Sequence, residues 1–360
     1  MTKPRFALVG AGVIGKQHGL VMNQLADQLE LVAVVDTDLS RAEALAAERS
    51  GRAYASLADA LRAEEVDVVS VCVPTGLHGV VAIEALEAGK HVIIEKPAEV
   101  TVEKTDEIIA AQNRAGTLVS VISQHRFDPA TEIAVAAIEA GELGRLTSGI
   151  ASIDWWRGQS YYDSGDWRGT WELDGGGAMM NQGVHTVDLL IAAMGRPVEV
   201  FAYTGTLAHE RVETEDVAVA VVKFESGALG VIHATTAAYP GLSARVQVHG
   251  DKGSLVIDND ELTYIHRAAY AGGETDVAYG ANSATDNQRD SIVLPETAAA
   301  GAGRDPGQLS DAHRLQYLNI LAALEGRERL RVDLEINRQA ISVITGAYES
   351  ARTGRPVTLS

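Results

Sequence analysis

Between Phe6 and Ile122 five short β-branched runs, FALVG, LVAVVD, VDVVSVCV, HVIIE and LVSVI, alternate with Ala-rich, charged segments. Leu39–Arg49, Leu77–Ala88 and Val102–Ala115 repeat their apolar residues with helical period. Strands this uniformly apolar are buried on both faces, and an intervening helix returns the chain to a parallel neighbour. A doubly wound parallel sheet of the α/β class is expected over residues 1–123.

After Gln124 the pattern changes. A helix near Ala130–Ala140, a strand near Leu146–Ile153 and a polar, aromatic loop precede a second helix from about Gly177 to Met194. Strands then follow one another at Val198–Tyr203, Ala218–Phe224, Leu229–Ala234, Ala244–His249 and Ser254–Ile257, with ESGA and GDKG as turn signals between them. Such a succession makes a large, mostly antiparallel sheet, so residues 124–360 are read as an α+β domain for substrate binding and oligomerisation. Tyr270–Arg304, rich in Gly, Ala and small polar residues, reads as a surface loop, and helices at Leu309–Glu325 and Asp333–Arg352 close the chain.

Charge narrows the partners. Lys and Arg number 30 against 49 Asp and Glu, a net charge of -19 over 360 residues, with no basic block. Counterion release cannot drive nucleic-acid binding by such a chain, and anionic membranes repel it. No apolar stretch approaches the roughly 20 residues of a membrane span. The single cysteine, Cys72, lies in a strand-like run and has no intrachain partner. A soluble, cytoplasmic protein is expected.

The first strand runs into VGAGVIG, which sets Gly10, Gly12 and Gly15 in the G-x-G-x-x-G pattern at a strand-to-helix turn. The first glycine permits the turn, the second lets backbone approach a diphosphate, and the third lets helix pack on strand. Main-chain N–H groups of the turn, through Val13 and Ile14, and the positive end of the helix dipole would hold that anion. Asp36 ends the second strand about 20 residues on, where a carboxylate accepts from ribose hydroxyls and repels an added phosphate. NAD is therefore the expected cofactor, with NADP less favoured. The alternative for Asp36 is a helix cap ahead of DLSRAEA.

The fifth strand ends in IIEKP, placing Glu95, Lys96 and Pro97 at the sheet edge where doubly wound folds bind ligands. By itself Lys96 could serve only as the partner of a nearby carboxylate. With VPTGLH, AGKHVIIEKP and GGGAMMNQGVHTVDLL in order behind the glycine turn, the chain resembles the glucose-fructose oxidoreductase and inositol dehydrogenase (Gfo/Idh/MocA) family. The resemblance implies cofactor contacts at Pro74, Thr75, His78, Glu95 and Lys96. It also implies that Lys96 binds the reacting hydroxyl beside the nicotinamide.

On a helix, Asn181, His185 and Asp188 fall within roughly 60° of one another, on an otherwise apolar segment. A capped core histidine would explain such a stripe in isolation. Beside IIEKP it reads as catalytic: a histidine titrating near neutrality suits removal of a hydroxyl proton, and Lys96 would steady the alkoxide. The chain departs from the family's commonest pattern by carrying Asn181 where an Asp usually precedes the histidine by four. An amide cannot stabilise an imidazolium as a carboxylate does, unless Asp188 or Asp174 takes over.

All four tryptophans, Trp155, Trp156, Trp167 and Trp171, fall in one short segment with Tyr161, Tyr162, Arg157 and Arg168. Trp155, Arg157, Trp167 and Arg168, with Lys96, Asn181 and His185, are the expected substrate contacts. Aromatic faces suit sugar rings, and the arginines suit hydroxyls or an attached acid. The same residues are also enriched in subunit interfaces. The expected activity is NAD-dependent oxidation of a secondary hydroxyl on a sugar, cyclitol or sugar derivative, without a metal. A sugar-nucleotide dehydrogenase is the alternative, and a non-catalytic NAD-bound sensor a weaker one. Family likeness also implies a homo-oligomer, a dimer or more readily a tetramer.

Overall fold

The computed structural model describes residues 3–267, 287–293 and 311–360. Six parallel strands form the first sheet: β1 (Arg5–Val9), β2 (Glu30–Val35), β3 (Arg52–Tyr54), β4 (Val68–Val71), β5 (His91–Ile94) and β6 (Val119–Val121). Their order is β3-β2-β1-β4-β5-β6, with α1 (Val13–Gln24), α2 (Leu39–Arg49), α3 (Leu57–Ala63), α4 (His78–Glu87) and α5 (Val102–Ala115) as crossovers. Strand β3 and helix α3 are too short to show a period, and the sequence pattern passes over both. The order reverses between β1 and β4, so the carboxyl ends of these strands flank the crevice where doubly wound sheets take ligands.

The second sheet has eight strands in the order β13-β12-β11-β7-β10-β9-β8-β14. They are β7 (Leu146–Asp154), β8 (Pro197–Gly205), β9 (Val217–Phe224), β10 (Leu229–Thr235), β11 (Ala244–Gly250), β12 (Gly253–Asp258), β13 (Glu261–Arg267) and β14 (Val357–Thr358). Every neighbouring pair is antiparallel except β7 with β10. One face packs on α6 (Pro129–Glu139) and, beyond the short α7 (Gln159–Tyr162), on α8 (Val184–Met194), burying Leu190, Met194, Val200, Val222 and Ile232. The other face stays open: Phe201, Val221, Val231 and Ile150 line up across four strands, with Val221 53% and Val231 39% exposed.

The last two helices, α9 (Asp311–Leu324) and α10 (Leu334–Thr353), are long-range partners of the first sheet as well. Tyr317, Ile320 and Leu321 of α9 are buried in one cluster with Phe6, Leu8 and Met22. Along α10, Leu334 and Ile341 pack with Ile94 and Val121, while Val343, Ile344 and Ala347 pack with the second sheet's core. The second sheet begins with β7 at Leu146, and C-terminal helices of the expected 124–360 unit complete the first core. Most of the Tyr270–Arg304 loop expected from sequence lies outside the described residues. Among the described residues no helix is long and apolar enough to cross a membrane.

Candidate active site

At the end of β1, Gly10 adopts φ +100, and a Cβ there would stand 2.4 Å from the Cys72 carbonyl oxygen of β4's end. A Cβ on Gly15 would meet the Gly10 oxygen at 1.8 Å, so strand and helix touch through backbone alone. Gly12 has nothing within 4 Å of its Cβ position. That open flank lies at the start of α1, which has neither a side-chain cap nor an acidic residue in its first turn. Val13, 64% exposed, and Ile14 follow it. Unengaged N–H groups beside an open glycine fit the diphosphate of NAD.

Asp36 is joined to this turn. Its carboxylate accepts from the N–H of Ala11 at 2.8 Å and of Asp38 at 2.9 Å. The helix cap is Asp38, which accepts from Ser40 N–H, so the capping alternative for Asp36 fails. Each Asp36 oxygen keeps an acceptor site for a ribose hydroxyl.

The ends of β4 and β5 are tied by His78, fully buried, whose ring nitrogens lie 2.8 and 2.9 Å from the carbonyl oxygens of Pro97 and Val73. A neutral imidazole donates to one of these oxygens and turns its other nitrogen toward the second, so both ring nitrogens of His78 face main chain. Pro74 and Thr75 begin the intervening 3-10 turn, with Thr75 buried. Gly76 of that turn donates to Leu173 O, and a Cβ on it would lie 2.2 Å from Glu172 O. The segment before the triple glycine is thereby pressed against the nucleotide-binding edge.

Glu95 is buried beneath Lys96. Its Oε1 lies 2.8 Å from His18 Nε2, and its Oε2 accepts from the Lys96 N–H. Burial would raise the Glu95 pKa, but His18, His313 and Lys96 together bring it down to about 2. Glu95 is a fixed anion under the lysine, already hydrogen-bonded within the protein. The Lys96 ammonium donates to the main-chain oxygen of Asn181 at 2.9 Å. Burial lowers its pKa, Glu95 and Asp174 oppose that, and Arg168 and Arg157 add to it.

Asn181 lies in a π-helical turn, Ala178–Gly183, that leads into α8 rather than in one uninterrupted helix. Glu215 anchors this turn by accepting from the N–H groups of Gly177 and Met179 and from the Tyr348 hydroxyl. Burial drives the Glu215 pKa up to about 7, against those hydrogen bonds. The wider turn separates the expected polar stripe. The Asn181 side chain donates to Asp174 at 2.5 Å and accepts from Gln182; it does not orient His185. Asp188 is held in a two-pronged ion pair by Arg126, and Asp174 by Asn181 and the Gly169 N–H. Neither carboxylate replaces the family's usual Asp.

Among the described residues, neither ring nitrogen of His185 has a hydrogen-bond partner. The His125 ring meets it edge-on, centroids 5.0 Å apart, and His125 is bound by Asp128 and Asp260. Burial first, then the charges of Lys96, His125 and His313, lowers the His185 pKa well below the ordinary histidine value. The expectation of a histidine titrating near neutrality is corrected accordingly: His185 is neutral and open to accept a proton.

The tryptophans do not form one wall. Trp155 is buried in the second core, Trp156 packs on His209 and Tyr239, and Trp171 packs on Tyr348. Trp167 carries the Arg168 guanidinium on its face at 4.4 Å. Sequence reasoning passed over Gln182 and Glu215. Gln182 adjoins Asn181 and could have been weighed with it, whereas Glu215 reaches the turn from just before β9 and leaves no local signal. The neutral state of His185 is checked by following its ring protons by nuclear magnetic resonance: no titration between about pH 6 and 8 is expected. A midpoint at or above the ordinary value would contradict it.

Comparison with known proteins agrees with this geometry. Residues 4–123 match the model of an oxidoreductase family with an NAD-binding Rossmann fold, and residues 131–256 the GFO/IDH/MocA C-terminal domain. The chain is 30% identical to the oxidoreductase YrbE of Bacillus subtilis over 72% of its own length and 74% of the relative's. It is 29% identical to myo-inositol 2-dehydrogenase of Thermotoga maritima, over 72% and 77%. The WlbA dehydrogenase from Chromobacterium violaceum, solved with NADH and UDP-GlcNAcA, superposes with a TM-score of 0.85 at 32% identity, covering 99% of this chain and 96% of that one. An NAD-binding glycine turn on a six-stranded parallel sheet, joined to an eight-stranded second domain, makes this chain a member of the Gfo/Idh/MocA family of NAD(P)-dependent oxidoreductases acting on CH–OH groups.

Proposed function

We propose that the chain oxidises a secondary hydroxyl of a sugar, cyclitol or sugar derivative, with Lys96 and His185 at the reacting oxygen. The observation that carries this reading is the pairing of a pinned ammonium with a neutral, unengaged imidazole four residues beyond the carbonyl that pins it. Lys96 spends one N–H on Asn181 O, leaving two donors for the substrate oxygen. Those donors strengthen as negative charge develops there. His185 takes the hydroxyl proton, and its burial keeps it deprotonated until then. The chemistry NAD supplies when bound is acceptance of the hydride from the carbinol carbon. Asn181 is a positioning residue, acting through its main-chain oxygen.

A sugar-nucleotide substrate is the second reading. It is favoured by the full-length likeness to WlbA dehydrogenases, whose structures contain UDP-GlcNAcA. The non-catalytic sensor reading has less support, because Lys96 and His185 are both present and accessible to one another's charge.

The open face of the second sheet supports a homo-oligomer. A stripe of Phe201, Val221, Val231 and Ile150 across four strands is an apolar surface that a second copy can cover.

NADH absorbance should rise on incubation with NAD and a member of a panel of sugars, inositols and nucleotide sugars. His185→Ala should then lower kcat by about a hundredfold or more with NAD affinity nearly unchanged, and Lys96→Met should be at least as damaging. Full activity in His185→Ala removes the proposed base. In kcat/KM, NAD should be preferred to NADP by more than about tenfold, roughly 1.4 kcal/mol, and Asp36→Ala should narrow the gap. Equal use of both by the unmodified protein counts against Asp36. Light scattering should give a mass at least twice 38.1 kDa, and a monomer at micromolar concentration contradicts assembly.

A further inference from the structure

Arg157 and Arg168 are both half-buried, and among the described residues neither has a carboxylate within ion-pairing distance. Elsewhere in this acidic protein Arg126, Arg245, Arg267 and Arg338 each pair with one. Both guanidiniums lie over the Tyr161 ring, at 5.5 and 4.2 Å from its centroid, and each has a second aromatic support, Trp155 for Arg157 and Trp167 for Arg168. Stacking of this kind holds the planar forks in place while leaving their N–H groups free. Among the described residues Arg157 donates to Trp156 O and Gln182 Oε1, both at 3.3 Å, and Arg168 to Ser164 Oγ at 3.1 Å, out of five N–H donors on each.

The pair adjoins the reactive amine. Lys96 donates to Asn181 O, Asn181 Oδ1 accepts from Gln182 Nε2, and Gln182 in turn meets both Arg157 and the Tyr161 hydroxyl. Asp174, the nearby carboxylate, is engaged by Asn181 and Gly169 and does not neutralise either arginine. Glu95 and Asp174 offset part of this charge, so two stacked guanidiniums near the Lys96 ammonium leave an excess of positive charge in a protein of charge -19.

We infer that Arg157 and Arg168 bind an oxyanion carried by the substrate, a carboxylate on or next to the oxidised ring, which makes the substrate a sugar acid or its derivative. This rests on the dehydrogenase reading above. The chemistry shared by carboxylate and phosphate is acceptance of paired N–H bonds from a guanidinium fork. The aromatic, half-buried setting favours the carboxylate, because its single charge costs less to desolvate than a phosphate dianion.

The test measures NADH formation on free and nucleotide-linked hexuronates, the matching neutral sugars, and sugar phosphates, alongside quenching of tryptophan fluorescence by the same compounds with NADH present. Hexuronates should be used at least about tenfold better in kcat/KM than their neutral counterparts, and Arg157→Met and Arg168→Met should raise KM for them by a similar factor with NAD binding unchanged. Turnover of neutral sugars as efficient as that of hexuronates, insensitive to both substitutions, overturns the inference. So does a preference for the phosphates, or the absence of both turnover and quenching with every hexuronate. Quenching by a hexuronate that disappears in both variants, without turnover of any compound, upholds the anion site while removing the dehydrogenase reading.

Discussion

The hydrogen bond from the Lys96 ammonium to the Asn181 carbonyl joins the two halves of this protein at the site proposed for its chemistry. One partner ends a strand of the nucleotide-binding sheet; the other lies in a turn leading to the helix on the second sheet. Everything nearby restrains one side or the other. Glu95 and His18 sit under the lysine, while Glu215 and Tyr348 hold the turn that presents the carbonyl. A second layer fixes the frame itself, with Asn337 of α10 accepting from the Ala98 N–H just past Lys96.

Burial and charge act against each other in this region, and the result differs from residue to residue. Glu95 stays ionised because His18 and the neighbouring cations outweigh its desolvation. Glu215, held only by neutral donors, is pushed up to about 7 by the same burial. His185 has cations around it and no anion in contact, so both influences favour its neutral form. Under the proposed mechanism, a neutral His185 within reach of the Lys96 charge suits a reaction in which a proton leaves one oxygen as that oxygen gains charge. The Asn181 substitution fits this electrostatic pattern, since a carboxylate in contact with His185 would work against it.

The aromatic segment between β7 and the triple glycine divides its labour. Trp155 belongs to the core and carries the Arg157 guanidinium over its ring. Tyr161 and Trp167 are the supports on which charge is displayed.

Much of this was legible in the sequence because it depends on local period and backbone sterics. The parallel sheet follows from alternating apolar runs and helices, and the glycine turn is recognisable because no side chain fits at Gly10 or Gly15, while Gly12 leaves its flank open. The end of β5 marks Lys96 in the same way, since doubly wound sheets expose that edge. What no local pattern carries is the choice of partner. Gln182 and Asp174, rather than His185, take the Asn181 side chain; Arg126 takes Asp188; and α9, from the far end of the chain, places Tyr317 against Phe6 and His18. The Arg126 and Tyr317 contacts join residues tens to hundreds of positions apart, and at Asn181 a π-helical turn shifts the facing of the stripe away from ideal helical spacing. Residue types and strand order were therefore decided locally, whereas the charge state of His185 and the free N–H groups of Arg157 and Arg168 were decided by packing, because desolvation and ion pairing exist only once the chain is folded.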